Sequence, residues 1–384
     1  MRIAGNRYDL RELNGAFGDL GTLIPFVLGY VTVNRLDPAG VFTTFGVLMV
    51  AAGLWFRTPM PVQPMKAIAA VAVSQPGLVT PGAIWAGGLF TGALWLALGL
   101  TGVATRVARL TGRPVVYGLV LGLGLTLMLE GVKMMARDPV VAVAAAVLTF
   151  ALLMRPRLPA TLILMAAGVA VAVFREPALL ADLAEATLRW RLPSPPASLA
   201  WTDVLTGAVV LALPQAALTF GNAIVATVEE NNALFPDRPV TVRAMALGHG
   251  VMNLVGAAVG GVPVCHGAGG MAGHVRFGAR TGGALVMLGL LLLAVGLFLA
   301  DSVGSLLRLF PLSVLGVVLF VGGLELAVGA LPAGGTRGER TVALLTAAVA
   351  MWNMGVAFLA GLVMWHAQRY GWMKVEETDE AERT

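Results

Sequence analysis

Long apolar runs follow one another along almost the whole chain, and only short polar stretches separate them. The runs are rich in Leu, Ala, Val and Gly and lack the apolar–polar alternation that is typical of β-barrel strands. Hydrophobic residues make up 58% of the 384 residues and charged residues 12%, too few to cover a soluble surface of this size. The pattern therefore predicts an all-α integral membrane protein whose main partner is the lipid bilayer.

Twelve of the runs are predicted to be membrane spans. Their expected bounds are about 13–33, 39–56, 83–104, 115–134, 139–154, 158–174, 202–226, 241–259, 281–300, 311–330, 340–352 and 353–369. The last two are short and meet near Trp352 and Asn353, so they could form one bent helix or two.

Two further segments differ from the spans because prolines precede a short apolar or glycine-rich run. They begin with PMPVQPMK at 59–66 and GGVPVCH at 260–266. Proline forbids a continuing helix, and each following run gives about 15 Å of helix, half of a ~30 Å hydrocarbon core. We therefore expect half-helices over about 64–74 and 265–276 that meet at mid-membrane, which brings the total to 14 membrane segments.

The two halves of the chain match at an offset of 200 residues, which aligns Asp19 with Thr219 and Lys66 with His266. Each repeat has seven segments, which is an odd number. The second repeat therefore enters the membrane from the opposite side and is inverted relative to the first. The predicted organisation is a first repeat at 1–177, an external amphipathic helix and linker at 178–200, a second repeat at 201–370, and a short cytoplasmic tail at 371–384. The surface helix is expected over about 178–190.

The distribution of charge and the number of cysteines indicate the orientation in the membrane and exclude some kinds of partner and site. Most of the 26 Lys and Arg residues fall on one side of the predicted topology, which favours cytoplasmic N- and C-termini in a multi-pass protein of the cell (inner) membrane. The net charge of +5 is scattered over the loops and does not indicate a nucleic-acid partner. The one cysteine, Cys265, excludes an internal disulfide and a multi-cysteine metal site, and we expect no metal and no cofactor.

The half-helices carry the main functional signal. A helix that begins inside a membrane leaves about four N–H groups without partners and presents roughly half a positive charge. Two such ends facing each other can bind an anion. The residues at these ends are Gln63, Pro64, Met65 and Lys66, and Cys265, His266, Gly267, Ala268, Gly269 and Gly270. The alternative is that the prolines and glycines only kink ordinary helices and that Lys66 extends to an interface.

Polar residues in the first span of each half could flank this site. Asp19, Gly21 and Thr22 lie in the first span, and Asp19 is either a proton or cation site or an interfacial acid. The corresponding span holds Gln215, Thr219 and Asn222. Gln215 and Asn222 are two turns apart and share a face, so they line the site or pair with neighbouring helices.

Other polar residues carry weaker signals. Glu130, Glu325 and His249 lie in or near apolar runs, where helix packing can satisfy them, and Glu229 and Glu230 are expected to end their span. Cys265 and His266 are adjacent, and adjacent side chains rarely point at each other, so the pair does not indicate a nucleophile. The sequence does not predict an enzyme.

Three segments resemble the signature stretches of the molybdate transporter family, a relative of the SulP sulfate transporters: FGDLGT at 17–22, PMPVQPMKAI at 59–68 and the stretch at 265–282. The resemblance implies a core domain that carries the substrate against a gate domain, a tetrahedral oxyanion between the two half-helix ends, and an arrangement compatible with a homodimer. Related transporters often have an acid in the eighth segment, where this chain has Gln215.

We therefore expect an importer of a tetrahedral oxyanion, most simply molybdate, at the sixteen residues named above. Moving two negative charges inward against 100 mV costs about 4.6 kcal/mol, so proton or sodium coupling is expected, with Asp19 or His266 as the carrier. The alternatives are a sulfate or general oxyanion transporter on the same fold, a nucleobase transporter, and an anion channel.

Overall fold

The structure is a computed structural model that describes residues 2–3, 5–155, 158–196, 198–330 and 335–372, and it is built almost entirely from helices. The predicted tail at 371–384 lies outside the described residues except for residues 371 and 372. The α-helices are α1 Leu10–Ala16, α2 Leu20–Thr32, α3 Pro38–Phe56, α4 Lys66–Ser74, α5 Pro81–Leu100, α6 Val103–Arg109, α7 Arg113–Met135, α8 Pro139–Leu153, α9 Ala160–Arg175, α10 Ala178–Ala184, α11 Trp201–Leu205, α12 Leu213–Leu218, α13 Thr227–Leu234, α14 Val242–Ala258, α15 Ala268–Arg276, α16 Gly283–Phe298, α17 Val303–Arg308, α18 Leu312–Gly329, α19 Arg337–Trp352 and α20 Met354–Arg369.

Short segments of other geometry join or precede these helices. The 3₁₀ turns are Phe17–Asp19 and Ala300–Ser302, and the π-helical turns are Thr206–Ala212 and Thr219–Ala226. The strands are β1 Arg2–Ile3, β2 Asn6–Arg7, β3 Gln63–Pro64 and β4 Val264–Cys265. β1 pairs with β2 and β3 pairs with β4, both antiparallel.

Six helices of the described chain are long and apolar enough to cross a membrane, or up to eight if two bent helix pairs each count as one span. The six are Leu10–Thr32, Pro38–Phe56, Pro81–Leu100, Arg113–Met135, Trp201–Leu234 and Leu312–Gly329. The bent pairs break at Arg175 by 105° and at Phe298 by 95°. The other predicted spans are helical but have only 15 to 17 residues, as in α8 and α14. The protein is therefore a multi-pass membrane protein.

Sequence signals define the starts of several long helices. Pro38, Pro81 and Pro139 each occupy the first helical position, where a proline ring fits and its missing N–H is not needed. The side chain before each proline caps the helix: Asp37 accepts from the N–H of Ala39, Thr80 from that of Ala83, and Asp138 from that of Val141.

Glycines bring three pairs of helices into close antiparallel contact. α3 packs along α16, α5 along α14, and α7 along α18. A Cβ atom added at these glycines would overlap the partner helix, so only glycine allows the observed spacing. The facing positions are Gly46 with Gly289, Gly53 with Gly282, Gly124 with Gly323, and Gly131 with Gly316.

The helix expected at 202–226 continues past Glu229 and Glu230 to Leu234. That the two glutamates mark the end of the membrane span stays a prediction. Thr227 lies at the junction between the last π-helical turn and α13, and its hydroxyl oxygen is 3.0 Å from the carbonyl oxygen of Asn222. Helix α13 ends at Leu234, and the chain then turns back into α14.

The surface helix predicted for 178–190 is shorter than expected and ends at Ala184. The chain beyond it is extended, and the N–H groups of Arg189 and Arg191 donate to the carbonyls of Phe298 and Leu297 at 3.0 and 2.9 Å. These carbonyls belong to the last turn of α16, where no intrahelical donor is left. A neighbouring helix end thus holds this segment extended.

The last two predicted spans are two helices and not one bent helix. Asn353 interrupts the helix with an extended backbone, and its side chain caps α20 by accepting the N–H of Val356 at 3.0 Å. Gly338 near the start of α19 lies beside Gln368 near the end of α20. α19 and α20 therefore form an antiparallel hairpin that turns at Asn353.

Candidate functional site

The two predicted half-helices meet at a short β-ladder. Gln63 of β3 pairs with Cys265 of β4, and Pro64 with Val264. The N–H of Met65 extends the pairing by donating to the carbonyl of Pro263 at 3.0 Å. α4 begins at Lys66 and α15 at Ala268, directly after the strands. Since the strands are antiparallel, the two helices lead away in opposite directions and their N-termini face each other at the ladder.

Helix α14 holds β4 in place through two side chains. Asn253 donates to the carbonyl of Val264 and accepts its N–H, both at 2.9 Å, as a neighbouring strand would. His249 accepts the N–H of His266 at 3.2 Å through Nε2, while its Nδ1 bonds the carbonyl of Met245 at 2.8 Å. The sequence interpretation missed Asn253 and ranked His249 low, although the two lie one turn apart in an apolar helix.

A glutamine side chain caps the N-terminus of α4. The N–H of Ala67 donates to Gln215 Oε1 at 2.8 Å, and Gln215 Nε2 donates to Thr219 Oγ1 at 3.0 Å. Gln215 is buried. Its amide oxygen therefore occupies the position at the helix end where an acceptor is most strongly favoured.

Polar side chains of three other segments meet at the N-terminus of α15. Gln63 Nε2 donates to Asp19 Oδ1 at 2.6 Å. Gln63 Oε1 and Asn222 Oδ1 are buried and have no hydrogen-bond partner among the described residues. The amide groups of Gln63 and Asn222 both lie beside Gly267. The sequence predicted this grouping of Asp19, Gln63, Asn222 and Gly267.

Gly270 allows the acid and the amide to approach α15 closely. A Cβ atom added there would lie 2.5 Å from Gln63 Nε2 and 2.8 Å from Asp19 Oδ2, with Pro61 Cβ at 2.7 Å. These separations are shorter than real contacts to a Cβ atom. The first turn of α15 is thus glycine because Asp19 and Gln63 occupy the space of a side chain.

A cavity of about 600 Å³, called the central cavity below, reaches the start of α4. One wall comes from α2 and α4, including Gly21, Thr22 and Lys66, and the other from α7 and α20, including Leu127 and Met354. Lys66 Nζ is buried and has no partner among the described residues. The mouth lies near Glu130, which is half-exposed and pairs with Lys133 at 2.7 Å.

The central cavity lies on the side of the ladder from which α4 leads away. On the side towards which α4 leads, the cavity separates α4 from α7. On the other side α15 packs against α18 and the turn Phe17–Asp19. A Cβ atom added at Gly269 would overlap Leu127, and one added at Gly273 would overlap the backbone of Gly18. The site is therefore accessible from the face opposite to the one at which α15 ends.

Other predicted site residues contribute backbone and not side chains. His266 Nδ1 bonds the carbonyl of Pro61 at 2.7 Å, and its ring packs against Phe56 and His249 with centroids 5.4 and 4.9 Å apart. The ring borders a separate apolar groove between α3 and α14, away from the central cavity. Cys265, Pro64 and Met65 are buried near the ladder. Within the described residues, no three His, Cys, Asp or Glu side chains are grouped to hold a metal ion.

Two positions that organise the site were not anticipated. Ala67 supplies the N–H that Gln215 accepts. Thr227 donates through its hydroxyl to the carbonyl of His266 at 2.7 Å, which ties the end of the eighth predicted segment to α15. A hydroxyl five residues after Asn222 in an apolar run was a signal for Thr227, whereas nothing in the sequence distinguishes Ala67.

Comparisons with known proteins agree with this geometry. A family described as "Molybdate transporter of MFS superfamily" matches residues 11–127 and 207–326. "Molybdate transporter 2" of Arabidopsis thaliana is 34% identical, with 92% of this chain and 86% of that protein aligned. Among solved structures, murine Slc26a9, an anion transporter in the inward-facing state, has a TM-score of 0.66 at 13% identity and covers 98% of this chain and 70% of its own. The transmembrane domain of the cyanobacterial bicarbonate transporter BicA has a TM-score of 0.52 at 16% identity and covers 93% and 99%.

The structural likenesses establish a fold shared with anion transporters, and the family and its relatives are transporters and not enzymes. The identity covers nearly the whole chain, including both half-helices and the spans that flank them. The resemblance seen in the three sequence motifs is thereby confirmed, and the chain belongs to the molybdate transporter family.

Proposed function

We propose that this chain is a secondary active transporter that imports molybdate by alternating access, with the anion bound between the N-termini of α4 and α15. The observation that carries the proposal is the meeting of the two half-helix ends at the base of an open cavity, next to a buried lysine without a partner. Relatives described as molybdate transporters support the choice of anion.

The charge balance of this site suits a divalent anion. Each helix end contributes roughly half a positive charge and a protonated Lys66 contributes one, so the site offers about two positive charges. Burying a dianion without such compensation would be prohibitive, because the lost hydration is far larger than any packing gain. Lys66 is the cation that lines the central cavity at the start of α4.

Amide side chains lie at both helix ends, where the proposed site would hold the anion. Gln215 Oε1 accepts the N–H of Ala67, and an oxygen of the substrate would replace it there. Gln63 Oε1 lies in the corresponding place at Gly267. An amide oxygen is a weaker acceptor than a charged oxyanion oxygen, because hydrogen bonds to charged acceptors are roughly twice as strong. Substrate binding would thus exchange an acceptor at the start of α4 and give the start of α15 an acceptor that Gln63 Oε1 does not supply.

Asp19 is the better placed of the two predicted coupling residues. Its carboxyl group lies at the start of α15, beside Gln63 and Gly270, whereas the His266 ring faces the groove between α3 and α14. An ionised Asp19 would repel a dianion bound nearby. A proton or a sodium ion taken up with the anion would remove this repulsion, which gives a physical basis for symport.

The inverted repeat of seven plus seven segments remains part of the proposal. In the proposed repeat, each membrane segment corresponds to the one seven segments away, so α3 corresponds to α14 and α16 to α5. The pair α3–α16 thus corresponds to the pair α14–α5, and both pairs are in contact in the structure. α7 corresponds to α18 and β3 to β4, so each of these two pairs joins equivalent elements of the two repeats. This pattern supports repeats at 1–177 and 201–370, with core and gate domains that move against each other.

The proposed location is the cell membrane, with both termini in the cytoplasm and the central cavity open to the outside. A homodimer stays a prediction from the family resemblance. The excess of Lys and Arg in the predicted cytoplasmic stretches supports this orientation.

Binding to the purified protein in detergent tests the substrate. Calorimetry would compare molybdate, tungstate, sulfate and uracil in parallel. Submicromolar binding of molybdate with much weaker binding of sulfate is expected. Equal binding of molybdate and sulfate would indicate a general oxyanion carrier, and uracil binding without an oxyanion signal would contradict the proposal.

A further inference from the structure

A second cavity, of about 410 Å³, lies at the membrane face where α15 ends. It is bordered by the start of α1, the end of α15 and the connection between α8 and α9. This basic cavity is on the opposite face from the mouth of the central cavity and shares no lining residue with it. It is therefore separate from the proposed substrate site.

Three arginines give the basic cavity its charge: Arg11, Arg276 and Arg280. No aspartate or glutamate is among its described lining residues. Arg11 has no hydrogen bond or ion pair to any described residue. Arg276 pairs with Glu325 at 3.4 Å, where both side chains are partly exposed, and Arg280 is oriented by hydrogen bonds from its guanidinium to the carbonyls of Val275 and Ala279.

The acid nearest in sequence does not neutralise this cluster. Glu12 is fully buried and accepts the backbone N–H groups of Arg280 and Thr281 at 3.2 Å. It also pairs with Arg7 at 3.1 Å. The carboxylate is therefore committed to Arg7 and to the loop between α15 and α16. The guanidinium groups of Arg11 and Arg280 form no ion pair with a described carboxylate, and that of Arg276 has Glu325 as its partner.

The remaining lining of the basic cavity is mainly apolar. Leu10, Leu152, Leu153 and Leu158 lie beside the arginines. Leu152 and Leu153 are the last residues of α8, an apolar helix that ends at this face. A combination of guanidinium groups and leucine side chains at a membrane–water boundary fits a phosphodiester with an attached acyl chain better than a small hydrated anion.

The basic cavity also adjoins a contact between segments of the two proposed domains. Asn14 of α1 donates to the carbonyl of Phe277, and its Oδ1 accepts the N–H groups of Thr161 and Leu162 at 2.7 and 3.1 Å. The side chain thus connects α1 and the end of α15 to the start of α9. A ligand in the neighbouring cavity would touch the same three segments.

We propose that the basic cavity binds the headgroup of an anionic phospholipid from the leaflet at this face, with the phosphate between Arg11 and Arg276 and the proximal acyl chain on Leu152 and Leu153. The bound lipid holds α1 and α15 against the end of α8 and the start of α9 and so favours the arrangement in which this face is closed. The lipid site does not depend on which anion the protein transports.

The test uses the full chain, purified in detergent, and titration with phosphatidylglycerol followed by native mass spectrometry and thermal unfolding. Phosphatidylcholine and inorganic phosphate are titrated in parallel. The variant carries Arg11→Gln and Arg276→Gln. The matched control carries Arg106→Gln and Arg109→Gln on α6, which removes two arginines that do not line the cavity.

Phosphatidylglycerol is expected to bind and to raise the unfolding temperature of the unaltered protein, while phosphatidylcholine does neither. The affinity for phosphatidylglycerol should fall at least tenfold in the cavity variant and stay within twofold in the control. An equal loss in both variants would overturn the proposal in favour of unspecific charge attraction. Inorganic phosphate that competes at the same concentrations would overturn it in favour of a free-anion site.

The single substitution Arg11→Gln keeps the test decisive if the double variant does not fold. Arg11 has no partner in the described structure, so its loss leaves no buried group unpaired. A protein that folds with this change and keeps the full affinity for phosphatidylglycerol would contradict the assignment.

Discussion

At the scale of single residues, Lys66 and Gln215 set the chemistry of the proposed anion site. Lys66 places a buried amine at the base of the central cavity, and Gln215 provides the acceptor for the first half-helix. Both residues lie at the same helix end. In the proposed site Lys66 would supply charge, and the Gln215 amide would be the ligand that the substrate replaces. Substitutions at the two positions should therefore affect binding in different ways.

Lys66→Met removes the charge and keeps most of the apolar length. A hydrogen bond to a charged group is worth about 1.5–3 kcal/mol, so the affinity for molybdate should fall roughly ten- to hundredfold. Calorimetry on the purified variant measures this change. Lys133→Met, which removes the exposed partner of Glu130 near the mouth, serves as the control and should stay within about twofold. Unchanged affinity in Lys66→Met would place the lysine outside the site.

Gln215→Glu replaces the neutral cap by a carboxylate beside Lys66. The ionised side chain would keep the N–H of Ala67 and repel the substrate, so molybdate affinity should be low at neutral pH. Protonation of the new carboxyl group restores a neutral cap, so affinity should rise as the pH falls towards the pKa of the glutamate. Binding measured from pH 8 to pH 5 tests this, with the unaltered protein as reference. A parallel pH dependence in both proteins would contradict the prediction.

The sequence predicted that several polar residues would come together, because each of them interrupts an apolar run. Asp19, Gln63, Lys66, Gln215 and Asn222 all meet around the two half-helix ends. The direction of a side chain next to a strand could not be predicted in the same way. The His266 ring turns away because a carbonyl of the neighbouring loop accepts from it and Phe56 packs on it, and both contacts depend on tertiary structure.

At the scale of secondary-structure elements, glycine positions determine how closely the helices pack. Gly53 and Gly282 face each other near the C-terminal end of α3 and the start of α16. Gly124 faces Gly323 between α7 and α18. A methyl group at such a position must displace backbone, which cannot rotate away as a side chain can. The helix pairs therefore behave as rigid units.

Gly282→Ala tests this packing. The new methyl group would overlap the carbonyl of Gly53, and relief of the overlap would separate α3 from the start of α16. Overpacking of this kind costs about 1–3 kcal/mol, so the unfolding temperature in detergent should fall by several degrees. Gly304→Ala, where nothing lies within 4 Å of the new methyl group, should leave the temperature unchanged or slightly raised. Equal effects of the two substitutions would refute the interpretation.

The apolar runs and prolines of the sequence predict where the helices lie. They predict the ends of the helices less well. The run after Lys66 becomes a helix that ends at Ser74, near its predicted end. The segment after Ala184 carries apolar and charged residues in a helical pattern, yet it is extended because the carbonyls at the end of α16 accept its N–H groups. A sequence cannot show such a distant acceptor.

At the scale of the whole molecule, the central cavity is open on one face and the protein is packed on the other. The only cysteine of the chain, Cys265, is buried beside the ladder, which makes the protein convenient for labelling. Thr126→Cys in a Cys265→Ala background places a thiol on the cavity wall. A membrane-impermeant thiol reagent should label it from the outside of intact cells, and molybdate should slow the reaction. Labelling only in inverted vesicles would contradict the proposed orientation.

Uptake into proteoliposomes tests the coupling. An inward proton or sodium gradient should accelerate molybdate accumulation severalfold over the rate without a gradient, because the carried cation offsets the charge of the anion. Asp19→Asn should remove the dependence on the gradient while binding persists, since the amide can still pair with Gln63. An uptake rate of the unaltered protein that is the same with and without either gradient would exclude symport.

The β-ladder between the two half-helices has a further consequence for kinetics. Because Gln63 and Cys265 join the two helix ends, the proposed alternating access would move both ends together and present them to the substrate in the same geometry on either face. The residence time of the substrate is then similar outside and inside. With the submicromolar dissociation constant expected above and an association rate of about 10⁷ M⁻¹s⁻¹, the release rate would be below roughly 10 s⁻¹. A carrier of this kind has a slow turnover but binds an ion that is present at low concentration.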